Sequence, residues 1–263
     1  MKLKNIFLVP LMLFPTFSLF AEMPANTTPL EIIKLIEGNR KLVNEGKFVE
    51  AKKGYEQLLK HPALKKNDRR LVRKDYEKLN IKMILSPKQT PDSFMHTVVQ
   101  GDSLYLLAKK YNTPVSLIKK SNKLKSDTII LGKKLKIQKG IFSVTVDKSE
   151  NRLSLYLNDH LIKTYRVATG ENNSTPIGKF KIVTKVEKPI WYHKGKAVPA
   201  GDPENIIGTR WMGFDLKSYG IHGTTKPESI GQQVSSGCVR MLNHEVEELY
   251  DLLPLKTEVI VKD

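Results

Sequence analysis

The chain has 263 residues, 44 Lys and Arg against 27 Asp and Glu, a formal charge of +17, and a single cysteine. One thiol cannot form an intrachain bridge, so Cys238 is a free reactive group, half of an intermolecular bridge, or a small core residue. The basic charge attracts polyanions, but no basic face carries interleaved aromatics, which argues against nucleic acid and for wall polymers or anionic lipid headgroups.

Residues 1–21 open MKLKNIFLVPLMLFPTFSLFA, with Lys2 and Lys4 ahead of an apolar run from Ile6 to Phe20 and a small residue, Ala21, at which to cut. This is the layout of a secretory signal. The run is short for a membrane span, and Pro10 and Pro15 interrupt its helix. An uncleaved anchor is the alternative, and it is the only membrane contact expected. No cysteine near the cut accepts a lipid. The remaining chain is expected outside the cytoplasm, in the cell envelope, as a monomer.

Residues 22–85 read as helices. LEIIKLIEGNRKLVNEG, FVEAKKGYEQLLK and DRRLVRKDYEKLNIKMIL each repeat apolar residues at helical spacing, with Gly46 and Pro62 as stops. The stretch NEGKFVEAKKGYEQLLK is similar to one tetratricopeptide-type hairpin, a unit that cannot bury its apolar face alone. Residues 86–95, with two prolines among polar neighbours, are expected to be a linker.

Residues 96–139 predict a strand, two helices and a closing strand, and they carry ten Lys and Arg against two Asp and Glu. Asp102 or Ser103 caps the first helix, and Pro114 begins the second. TVVQGDSLYLLAKKY, PVSLIKKSN and DTIILGKKLKI together resemble the LysM module, a small βααβ domain. The resemblance implies binding to N-acetylglucosamine-containing glycan strands such as peptidoglycan. Its sugar-side loops fall on Gly101, Asp102, Ser103 and Leu104 and on Thr128, Ile129 and Ile130.

Residues 140–263 are nearly balanced, with 16 Lys and Arg against 15 Asp and Glu. FSVTVDKSENRLSLYLNDHLIKTYRVATG alternates apolar and polar residues, broken by turns at Lys148 to Asn151 and at Asn158–Asp159, which predicts an antiparallel meander. Only HEVEELYDLL reads as a helix, with Asn243 as its expected cap, and TEVIVKD closes as a strand. The domain is expected to be mostly β around one core, with Cys238 on the loop leading to the helix.

A thiol nucleophile needs a base, and a positive neighbour or helix N-terminus lowers its pKa. His222 lies 16 residues before Cys238, Gly237 allows close backbone approach with amides available for an oxyanion, and Arg240 adds positive charge. RVATGENNSTPIGKFKI, IGTRWMGFDLKSYGIHGT and SSGCVRMLN together resemble the L,D-transpeptidase catalytic domain of the YkuD type. That resemblance implies a β-sandwich with one main helix. His222, Ser235, Gly237, Cys238 and Arg240 occupy the positions of its motif. Two departures stand out: Ser236 replaces a common histidine, and Asn205-Ile206-Ile207-Gly208 replaces Asn-Pro-Leu-Gly.

The resemblance further implies that Cys238 attacks a peptidoglycan tetrapeptide stem, with His222 as base and Gly223 orienting the imidazole. Ser235, Ser236, Gly237, Arg240 and Tyr219 would support the substrate or oxyanion. An amine acceptor gives a 3–3 cross-link, whereas water makes the protein an L,D-carboxypeptidase. No cofactor or metal is expected, since the six histidines show no ligand spacing. A sortase would place its histidine much farther upstream, and an NlpC/P60 amidase would put cysteine before histidine. A LysM adaptor with a decayed catalytic site is the non-enzymatic alternative. The segment Glu187 to Gly208 is long for a connection and is expected either to cover the thiol or to pack its aromatics.

Overall fold

The computed structural model describes residue 24, residues 27–193 and residues 195–263. The expected signal segment lies outside the described residues. The chain divides into two compact units, Met1–Tyr76 and Glu77–Asp263.

The first unit is helical. α1 (Pro29–Asn44) starts on a capping box: Thr28 Oγ1 accepts from the Glu31 amide, and the Glu31 carboxylate accepts from the Thr28 amide at 2.7 Å. Gly46, at φ 74°, turns the chain into α2 (Phe48–Lys60). α1 and α2 meet closely at Gly54, where a Cβ would fall 2.0 Å from Asn39 Oδ1. α3 (Lys66–Leu85) runs across the division between the units.

In the second unit, β1 (Ser93–Thr97), α4 (Leu104–Tyr111), α5 (Val115–Ser121) and β2 (Lys134–Gln138) form the small βααβ module. β1 pairs antiparallel with β2, and Val98, Leu104, Leu107, Ile118, Leu135 and Ile137 make its thin core. The strand opens at Ser93, inside the segment expected to be linker. There Ser93 Oγ accepts from the Thr90 amide at 2.7 Å, and both residues are buried. A local hydrogen-bonded turn thus leads from the expected linker into β1.

The mostly-β domain comprises β3 (Phe142–Asp147), β4 (Arg152–Leu157), β5 (His160–Arg166), β6 (Thr169–Gly170), β7 (Gly178–Glu187), β8 (Trp191–His193), β9 (Lys196–Val198), β10 (Arg210–Phe214), β11 (Gly220–His222), β12 (Gln233–Ser235), β13 (Val239–Arg240), α6 (Asn243–Leu252) and β14 (Glu258–Lys262). Asn158 and Asp159 both have positive φ, as a two-residue hairpin turn matching strand twist requires. The expected mostly-β fold is present, with β12–β6 and β8–β9 forming two small two-stranded sheets. Its main sheet has eight strands, ordered β13-β11-β10-β7-β14-β3-β4-β5, curled around a single core with α6. Alternation decides its faces: Val144, Val146, Leu153 and Leu155 are fully buried, and the residues between them face outward.

The βααβ module is built into this unit. Leu117 of α5 and Ile81 and Ile84 of α3 belong to the large core. Lys120 forms an ion pair with Asp251 of α6, and Ser116 Oγ donates to the Asp251 carbonyl at 3.2 Å. The Lys136 ammonium is buried, donating to the carbonyls of Met83, Ile84 and Ser86 at the end of α3, and burial pulls its pKa down to about 8.

Candidate active site

Cys238 sits on the bend between β12 and β13. β13 pairs in parallel with β11, placing Val239 opposite Ile221 and Arg240 opposite His222. Two-residue periodicity therefore directs His222 and Arg240 to one face of the sheet, and Cys238 lies on the bend two residues before Arg240. Arg240's charge reaches both partners, lowering the pKa of the imidazole and opposing the rise in that of the thiol.

The bend is held by short-range bonds. Ser235 Oγ donates to the Cys238 carbonyl at 2.6 Å and accepts from the Gly237 amide at 3.1 Å. Gly237 has φ 115°, and a Cβ there would fall 2.7 Å from the Tyr219 ring. Conformation and space together disfavour any side chain there. The Gly237 amide donates to Ser235 Oγ, and the glycine's conformation shapes the bend. Ser236 is exposed, and Tyr219 packs partly against the core.

His222 is 4 % exposed. Its Nδ1 lies 2.6 Å from the Gly223 carbonyl oxygen, which can only accept, so Nδ1 carries the proton and Nε2 the lone pair. Trp211, opposite His222 in the β10–β11 ladder, stacks on the imidazole with centroids 5.9 Å apart. Burial, helped by Arg240, pulls the His222 pKa down to about 4 against the carbonyls of Gly223 and Ile207. At neutral pH the imidazole is therefore uncharged.

Cys238 is half-buried, and its thiol donates to the Ser218 carbonyl at 3.4 Å. Burial raises its pKa; the Gly220 backbone and Arg240 act in the opposite direction and do not overcome it. The sequence predicted a lowered thiol pKa, from imidazolium or a helix start. Neither is in place, because His222 is neutral and β13 separates Cys238 from α6.

Several supporting residues were not distinguished by the sequence. Asn243, expected to cap α6, is its first residue, and the Leu242 cap position makes no side-chain bond. Its Oδ1 instead accepts from the amides of Thr209 and Thr224 at 3.2 and 3.1 Å, behind Gly223. Asn205 is 1 % exposed and donates to the carbonyls of Pro189, Val198 and Pro199, fastening the base of the β8–β9 hairpin. Gly208, at φ 69°, abuts Asn243 and Thr224. The departing Ile206-Ile207 pair thus lies between two retained positions with defined structural work.

In the βααβ module, Val98 exchanges backbone bonds with Gly132 and Lys133, setting the two predicted loops side by side. Gly101 takes φ 89°, and Ser103 caps α4. Asp102 accepts from the Val99 amide and from His96 Nε2, the latter at 2.7 Å. Leu104 is a correction: it is 3 % exposed and belongs to the core. Ile129 packs partly on that core, Thr128 is exposed, and Ile130 is 61 % exposed beside Leu131 at 69 %; Tyr105 is 68 % exposed.

Residues 142–261 match the YkuD L,D-transpeptidase catalytic domain, and residues 96–138 match the LysM domain. YqjB of Bacillus subtilis is 42 % identical over 126 residues, which cover 46 % of this chain and 70 % of that protein. YkuD of Bacillus licheniformis is 32 % identical over 176 residues, covering 64 % of this chain and 98 % of that one. A solved L,D-transpeptidase from Mycobacterium smegmatis is 17 % identical with a TM-score of 0.41, and the match covers 51 % of this chain and 65 % of that one. On the extent and identity of the sequence matches, this chain belongs to the L,D-transpeptidase family of the YkuD type, with a LysM domain ahead of the catalytic one.

Proposed function

We propose that the protein is an exported, cysteine-dependent acyltransferase acting on peptidoglycan tetrapeptide stems, with the LysM domain holding the glycan. The observation that carries this reading is the placement of three side chains: buried His222 with Nδ1 against the Gly223 carbonyl, Arg240 opposite it in the β11–β13 ladder, and half-buried Cys238 two residues before Arg240. With Nδ1 committed to Gly223, Nε2 is the nitrogen left to take a proton.

Because the thiol is raised and the imidazole lowered, the pair rests neutral. His222 therefore acts as a general base during attack rather than as half of a standing ion pair. As Sγ bonds to the carbonyl carbon preceding the terminal D-Ala, the Cys238 proton passes to Nε2. It then leaves on the D-Ala amine, and a thioester remains. An acceptor amine attacks the thioester, gives its proton to His222, and the thiol is regenerated. Arg240 stabilises negative charge on sulfur and on the developing oxyanion. A substrate carboxylate beside Arg240 would offset the charge that depresses His222, so binding itself strengthens the base.

Incubation with tetrapeptide muropeptides, followed by mass spectrometry, tests the reading. Wild type should release D-Ala and carry a thioester adduct, and folded Cys238→Ala should do neither. Release by Cys238→Ala would overturn the mechanism. Cross-linked product assigns an amine acceptor, and hydrolysed tripeptide alone assigns water.

A further inference from the structure

Lys148 lies 90 residues before Cys238 in sequence, yet its ammonium is placed behind the bend that carries the thiol. Its side chain is 2 % exposed, and its Nζ donates to the carbonyls of Thr175 at 3.0 Å and Asn173 at 3.3 Å, with Asp263 Oδ1 at 3.2 Å. Lysine is rarely buried without several acceptors, and here the acceptors belong mainly to one turn. That turn is conformationally demanding: Asn172 and Asn173 are consecutive non-glycine residues with φ 50° and 61°.

The turn rests against the backbone that presents Cys238. Thr175 Oγ1 accepts from the Gly170 amide at 2.7 Å. At Gly170, a Cβ would lie 2.6 Å from the Thr175 nitrogen and 2.9 Å from the Gly237 Cα; at Gly237, one would lie 3.3 Å from the Ser174 carbonyl oxygen. Gly170 also pairs with Ser235, the residue bonded to Gly237 and Cys238. The Lys148 backbone carbonyl accepts from Gln233 Nε2 at 3.3 Å, so the same residue also contacts β12.

We propose that Lys148 is a positioning residue for Cys238, holding the turn 171–175 as a buttress against Gly237. The inference rests on the reading of Cys238 as the nucleophile. Without the ammonium, the Asn172–Asn173 turn relaxes and Gly237 loses its backing. The thiol then becomes more accessible and less well aimed.

Full-length Lys148→Met and Thr175→Val, singly and combined, test this. The measurements are near-UV circular dichroism, kcat and KM for D-Ala release, and the pH dependence of Cys238 alkylation by iodoacetamide. Each single variant is expected to lower kcat about tenfold or more with a smaller change in KM. Alkylation should become faster with a lower pH midpoint, because the burial that raises the thiol is relieved. The double variant should be no worse than the more severe single one, since both act through one turn. A folded Lys148→Met with unchanged kcat and alkylation overturns the proposal, even if its melting temperature falls, and so do multiplicative effects. Should Lys148→Met fail to fold, Thr175→Val decides alone by the same readouts. Absence of Cys238-dependent D-Ala release in wild type would instead defeat the nucleophile reading, and the alkylation profile would still judge the buttress.

Discussion

The Nδ1 of His222 lies 2.6 Å from the carbonyl oxygen of Gly223, and this contact fixes which imidazole nitrogen bears the proton. It also holds a neutral ring in a buried site, where charging it is opposed by desolvation and by Arg240. The stability consequence has a definite sign. The folded pKa of about 4 lies below the ordinary value of 6.5, so the unfolded chain binds more protons between those limits. Stability is therefore complete above pH 6.5 and falls as the solution is acidified towards pH 4, by about 3 kcal/mol. Urea midpoints of wild type and His222→Gln at pH 7 and pH 4.5 should show the wild type losing more; parallel losses would refute it.

Because no imidazolium stands beside the thiol at rest, His222→Ala should leave the alkylation midpoint of Cys238 nearly unchanged while turnover collapses by about 100-fold or more. The wild-type midpoint should lie above that of free cysteine, following the upward shift by burial. A midpoint below free cysteine that rises in His222→Ala would restore the standing ion pair.

Arg240→Met should move the acid limb of kcat/KM to higher pH. The substituted site no longer repels a proton from His222, so the base protonates earlier as pH falls. Affinity for stems ending in a free carboxylate should fall as well. A pH–rate profile with an unmoved acid limb counts against this coupling.

Gly237→Ala places a methyl against the Tyr219 ring in a backbone conformation that L residues rarely adopt. The expected cost is about 1–3 kcal/mol in stability. Turnover should fall further than stability alone explains, since the next residue is Cys238. Thermal unfolding and D-Ala release at 25 °C separate the two effects.

Ile130→Ala and Tyr105→Ala should weaken pelleting of the full chain with insoluble peptidoglycan, and the loss should persist in 0.5 M salt. Both residues are largely exposed on the LysM domain, where a sugar face can pack. At that ionic strength attraction from surface lysines is largely screened. Pelleting that vanishes in salt for wild type would mark mere polycation behaviour.

What the sequence disclosed was chiefly what is local. The Asn158–Asp159 turn, the strand alternation around Val144 and Leu153, and the thiol's flanking residues are encoded within a few positions of where they act. Contacts closed by tertiary structure were hidden. Asn243 reads as a cap, yet its oxygen is taken by Thr209 and Thr224 amides far upstream. Nothing in the sequence marks Lys136 and Lys148 for burial, and only folding supplies the carbonyls that permit it. The thiol's pKa was misread for the same reason: its neighbours were legible, but its desolvation was not.

The seating of the LysM domain bears on how such an enzyme samples its polymer. A module on a loose tether offers its catalytic partner a broad cloud of reachable substrates. Here Leu117 lies in the catalytic core, Lys120 pairs with Asp251, and Lys136 is buried against the end of α3. On the proposed function, stems at the matching separation from a captured glycan would meet Cys238 at a high effective concentration, and stems elsewhere at nearly none. Which stem is processed would then be a matter of spacing along the strand rather than of abundance in the wall.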